Sequence, residues 1–164
     1  MPVELVQRVA SSIQPNEHPY MNGAWTPQTE EFNGTDLEVI GQIPSDIDGV
    51  YVRNTENPVQ HPIGRYHPFD GDGMIHVMTF KDGEATYRNR FVRTKGFMAE
   101  QEAGRALWAG LAENPALSER PGWGAHQGLK DSSSTDASLP RTPGTSRPTA
   151  SMTTIAATSP PAST

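Results

Sequence analysis

Three features of this 164-residue chain predict a mainly β, all-β-class protein. Residues 74–91 alternate in character on both sides of an Asp82-Gly83 pair, the pattern of a β-hairpin. Shorter strand signals precede it, with Leu37, Val39 and Gly41 alternating with Glu38 and Ile40, and then Val50-Tyr51-Val52-Arg53. Glycine and proline are both abundant, at 15 each, and hydrophobic residues make up only 34%, a composition that favours short strands and many turns over long helices.

The hairpin organises the rest. Both turn positions tolerate positive φ, which fits a two-residue loop and fixes the register. Lys81 faces Glu84, Phe80 faces Ala85, Met78 faces Tyr87, His76 faces Asn89 and Met74 faces Phe91. Side chains alternate between the two sides of a strand. Met74, His76, Met78, Phe80, Ala85, Tyr87, Asn89 and Phe91 therefore share a face that is expected to pack on the core. Ile75, Val77, Thr79, Lys81, Glu84, Thr86, Arg88 and Arg90 share the other, expected to be partly wet.

Upstream, Leu5, Val6, Val9, Ala10 and Ile13 recur at helical spacing and predict a short docking helix. A membrane-surface helix is less favoured, because its polar side lacks basic residues. Residues 17–27 hold Pro19, Pro27 and the turn pair Asn22-Gly23 and read as an extended arm, with Tyr20 and Trp25 as anchors. Pro58, Pro62, Gly64 and Pro68 mark a loop between the second strand and the hairpin. Phe97, Met98, Gln101, Ala106, Leu107 and Leu111 predict a helix over 97–111, weakened by Gly104 and Gly110. From Ala137 to Thr164, Ser, Thr, Pro and Ala supply 22 of 28 residues, so a disordered low-complexity tail is expected there. The expected organisation is residues 1–35 as N-terminal helix and arm, 36–136 as the β body, and 137–164 as tail.

Composition excludes several classes. The net charge of −6 disfavours a nucleic-acid partner. The absence of cysteine removes disulfides, thiolate zinc sites and a cysteine nucleophile. No apolar run reaches the roughly 18 residues that a spanning helix needs. Glu4 and Arg8 interrupt any signal-peptide core, and a cytoplasmic protein is expected.

Asp70-Gly71-Asp72-Gly73 resembles the start of a calcium loop, but Lys81 stands where an EF-hand loop needs its bidentate glutamate. A structural turn, with aspartates capping backbone groups, is the preferred reading. His18, His61, His67, His76 and His126 show no zincin spacing and read as loop histidines plus one hydrogen-bonded strand histidine. Glu30 and Glu31, and Asp46 and Asp48, read as solvated acids. Arg88, Arg90 and Arg93 form a basic stripe whose expected partners are Asp70, Asp72 or Glu100.

Several ordered motifs together carry a family resemblance. Residues 36–44 (DLEVIGQIP), 49–54 (GVYVRN), 64–76 (GRYHPFDGDGMIH), 88–94 (RNRFVRT) and 128–136 (GLKDSSSTD) resemble the N-terminal region of the carotenoid oxygenase family, the carotenoid- and lignostilbene-cleaving dioxygenases. The resemblance spans roughly residues 17–136. It implies part of a seven-bladed β-propeller, a non-haem Fe(II) cofactor held by four histidines, and oxidative cleavage of a carbon–carbon double bond in an apolar polyene or stilbenoid. The family's iron-ligand motifs are not among those matched. No catalytic, cofactor-binding or metal-ligating residue is therefore assigned, His67 and His76 included. The expectation is an N-terminal portion of such an enzyme, inactive alone, with residues from 137 onward read out of frame. The alternative is a small non-catalytic β-rich binding protein.

Overall fold

The computed structural model describes residues 3–14, 18–123 and 128–133. Five strands make one antiparallel sheet: β1 (Val3–Arg8), β2 (Glu30–Gly34), β3 (Gly49–Asn57), β4 (Asp72–Lys81) and β5 (Glu84–Phe91), in the order β1-β2-β5-β4-β3. One α-helix, α1 (Lys95–Ala103), follows the sheet. The mainly β class predicted from sequence is the class found.

The hairpin forms in the predicted register, from Lys81↔Glu84 through to Met74↔Phe91. Asp82 and Gly83 take φ of 52° and 80°, the twisted two-residue turn that matches right-handed strands. Its two faces differ less than expected. Met74, Asn89 and Phe91 are buried as predicted, but so are Ile75 and Val77 on the opposite side. Far from the turn the hairpin strands are buried on both sides, and their exposed residues, Lys81, Glu84 and Thr86, lie at the turn end.

The N-terminal helix is not formed. Residues 3–8 are a strand, paired with β2 from Val3↔Gly34 to Arg8↔Glu30 with an irregularity between Leu5 and Gln7. β-Branched Val3 and Val6 suit a strand. Cross-strand contacts from Glu4 to Asn33 and from Arg8 to Glu30 add to the pairing. All six β1 residues are exposed, so helical spacing had no core to face; only Val9, just beyond, is buried.

The strand expected at 37–41 is also absent. Ile40 is 97% exposed and Gly41 turns at φ +100°, so nothing there pairs. The strand of that region is β2, which meets β5 at Asn33↔Arg88 and Gly34↔Tyr87. Tyr20 and Trp25, expected as anchors, stay exposed and pack edge to face at 5.6 Å, while Met21 between them is the buried residue.

The helix starts at the cap set by Thr94, whose hydroxyl accepts the Phe97 N–H at 3.0 Å. It ends at Gly104, which adopts the left-handed conformation at φ +67°. The predicted helix therefore stops well short of residue 111. Leu107, Trp108 and Ala109 are buried from an irregular segment instead. Val9, Val59, Met74, Phe91 and Phe97 form the core cluster, with the Phe91 and Phe97 rings stacked at 5.2 Å. Fully burying one such ring contributes about 1.5–3 kcal/mol. The predicted low-complexity tail and His126 lie outside the described residues.

Candidate functional site

The Asp70–Gly73 turn delivers one acid to the surface loop and one to the interior. Asp70 accepts the backbone N–H groups of His67 at 3.0 Å and Leu111 at 2.8 Å. The His67 ring in turn accepts the Phe69 N–H at 3.2 Å, closing a capping box. Asp70 and His67 thus shape the loop as the structural reading expects, whereas Asp72 meets a lysine instead of capping backbone.

Asp72 opens β4 and is buried beside Glu100 of α1. Between them sits the Lys130 ammonium, 2.6 Å from Asp72 Oδ1 and 2.6 Å from Glu100 Oε2. The other Glu100 oxygen accepts the Leu107 N–H at 2.9 Å. Burial pushes the Asp72 carboxyl up to about 6, with Lys130 pulling it down and Glu100 and Asp131 pushing it up. Burial alone would pull Lys130 down, but the two carboxylates hold it above an ordinary lysine. This centre borders a cavity of about 340 Å³, whose walls include Val59, Tyr66 and Trp108. The Tyr66 hydroxyl is raised by burial and then by Asp70, Glu56 and Asp72, so it stays protonated.

On the sheet, His76 bonds on both ring nitrogens. Nε2 lies 2.9 Å from Thr55 Oγ1, and Nδ1 lies 2.5 Å from the Tyr87 hydroxyl. Thr55 Oγ1 also donates to the Met74 carbonyl at 3.3 Å. With that proton committed, a neutral imidazole protonated at Nε2 satisfies every partner: Nε2–H donates to Thr55 and Nδ1 accepts from Tyr87. Burial, and then the charge of Arg53, hold His76 below the usual histidine value, which agrees with the neutral form.

The basic stripe finds different partners from those expected. Arg93 pairs with Glu31 rather than with Asp70, Asp72 or Glu100, and Arg90 donates to the Phe32 carbonyl and to Asn33. Glu31, read from sequence as a solvated acid, is 1% exposed. Glu100, expected to pair with an arginine, holds Lys130 instead, and Lys130 itself is a residue that sequence reasoning does not single out. The one signal for Lys130 was its place in the 128–136 motif.

Among the described residues, no three His, Cys, Asp or Glu side chains converge to hold a metal ion. His18 and His67 accept backbone N–H groups, His61 Nδ1 lies 2.8 Å from the Pro62 carbonyl, and His76 is bonded at both nitrogens. The described residues also contain no helix long and apolar enough to cross a membrane.

The family model for retinal pigment epithelial membrane protein, RPE65, matches residues 25–158. The chain belongs to this family of carotenoid oxygenases. The match runs beyond Asp136, where the motif reading ended. The chain is 45% identical over 100 residues to the carotenoid 9,10(9',10')-cleavage dioxygenase 1 of Phaseolus vulgaris, covering 61% of this chain and 18% of that one. It is 40% identical over 92 residues to resveratrol cleavage oxygenase 1 of Aspergillus fumigatus, covering 56% and 18%. The fold superimposes on the lignostilbene dioxygenase of Pseudomonas brassicacearum, a β-propeller enzyme, with a TM-score of 0.62 and 26% identity over 75% of this chain. That alignment covers 25% of the solved chain. This carotenoid oxygenase family member therefore spans a quarter or less of the relatives it matches.

Proposed function

We propose that this chain is the N-terminal portion of a non-haem Fe(II)-dependent dioxygenase that cleaves a carbon–carbon double bond of a carotenoid or stilbenoid. The family match over residues 25–158 carries the reading, and the names of the bean and fungal relatives supply the two substrate classes. Iron would activate oxygen for that cleavage in the complete enzyme. The described residues of this chain do not fit the metal: their histidines serve as caps and sheet bonds, and their buried acids hold Lys130 or Arg93. In this reading the iron ligands belong to other parts of the complete seven-bladed enzyme, and the chain alone is inactive. Its contribution is a five-stranded sheet and a helix.

Exchange of residues 25–133 into the lignostilbene dioxygenase, in place of its aligned quarter, tests this reading. A folded, iron-loaded chimera that cleaves lignostilbene is expected. A folded, iron-loaded chimera that does not cleave, or failure to fold, contradicts it.

A second reading, a small non-catalytic β-rich interaction protein, is supported by the core cluster in which β4, β5 and α1 pack with Val9 and Val59. A single cooperative thermal transition of the isolated chain favours that reading, and a gradual loss of structure favours the first.

A further inference from the structure

The segment 128–133 is seated in a fitted groove. The Gly73 N–H donates to the Ser132 carbonyl at 2.8 Å, the Gly96 N–H to Asp131 Oδ1 at 2.8 Å, and the Asn54 amide to the Ser133 carbonyl at 2.8 Å. A Cβ at Gly73 would strike the Ser133 carbonyl, and one at Gly96 the Asp131 carboxylate. Leu129, Lys130 and Ser132 of this segment wall the cavity. Its displacement therefore opens that space. One ammonium and two carboxylates meet where the three side chains are 13%, 4% and 4% exposed, which leaves one negative charge buried in excess.

We propose that residues 128–133 form a proton-sensitive latch over the cavity, clasped through Lys130 while one of its two buried carboxylates is protonated and loosened when both are charged. The latch stands apart from the dioxygenase reading, because it rests on this chain's own buried charges. The groups facing Asp72 are Lys130 and Asp131 from the latch, Glu100 from α1 and Tyr66 from the loop before β4, with Asp70 and Glu56 around Tyr66. Asp72 is the carboxyl that takes the proton, since burial has lifted it to about 6. Release of the latch returns that acid to water, where its ordinary value is near 3.8. The released state then binds fewer protons between these two values, so opening is favoured as pH rises through that window.

Hydrogen exchange of the full chain at the Gly73 and Gly96 amides, corrected for intrinsic exchange, reads the latch directly. Between pH 5 and pH 7.5 their protection falls roughly tenfold, while amides of the β4–β5 turn end do not follow. Asp72→Asn keeps protection high at both pH values. Glu100→Gln leaves Lys130 facing a single carboxylate and shrinks or removes the fall, which decides the matter if Asp72→Asn does not fold. Equal wild-type protection at both pH values overturns the latch. So does a fall that persists in Asp72→Asn or remains undiminished in Glu100→Gln, a fall shared by the hairpin, or no protection at these amides at pH 5.

Discussion

Glu31 grips Arg93 through both carboxylate oxygens, at 2.7 and 2.8 Å, and its Oε1 also accepts the Phe91 N–H at 2.6 Å. One buried acid thus joins β2, the end of β5 and the segment leading to α1. The Arg93 guanidinium lies 5.3 Å from the centre of the Phe97 ring, so the same contact borders the core.

Loss of that acid is expensive. Glu31→Ala leaves a backbone N–H and a guanidinium without their acceptor, and is expected to lower unfolding stability by roughly 3 kcal/mol. Arg93→Lys, which loses the two-pronged geometry but keeps the charge, costs less. Urea denaturation of the variants and the parent chain checks the order.

Asn89 works beside it. Its Oδ1 accepts the Phe32 N–H and its Nδ2 donates to the Glu30 carbonyl, both at 2.8 Å. These side-chain bonds continue the β2–β5 contact beyond the two paired positions of the backbone. Asn89→Ala is expected to cost roughly 2–3 kcal/mol, through two unpaired backbone groups and a small void. A shift of the urea midpoint with an unchanged slope is the predicted signature.

His76 predicts a pH dependence of opposite sign to that of Asp72. Its folded-state value lies below the ordinary 6.5, so the unfolded chain binds the extra proton first. Stability from this group is complete above about pH 6.5 and falls as pH drops from there through the folded-state value. NMR titration of the His76 ring is expected to give a value below 6.5. Tyr87→Phe removes the donor to Nδ1 and is expected to raise it.

Gly73→Ala places a methyl group against the Ser133 carbonyl. Because that clash is with backbone, residues 128–133 must shift, at a cost of roughly 1–3 kcal/mol. Loss of exchange protection at the Gly96 amide in this variant would show that the segment moves as a unit.

Much of the central fold was legible because its information is local. The Asp82-Gly83 turn set the β4–β5 register, and alternation did the rest. The first strand was not legible. Val3, Leu5, Val6 and Val9 fit helical and extended spacing alike, and only the pairing with β2, far along the chain, decides between them. Ile40 misled for the reverse reason: strand-forming residues make no strand where no partner strand lies. The buried charges were invisible on the same grounds. Nothing adjacent to Glu31 in sequence distinguishes it from Glu30, and Lys130 meets Asp72 and Glu100 only after the chain folds back. The family motifs identified the chain because they sample these distant contacts together.

Iron content and turnover measured together test the central claim most directly, that this chain carries the family's sheet but not its iron chemistry. The purified chain, incubated with Fe(II), oxygen and resveratrol or a carotenoid, is expected to retain no stoichiometric iron after desalting and to yield no aldehyde product. One iron retained per chain, with cleavage of either substrate, would contradict it.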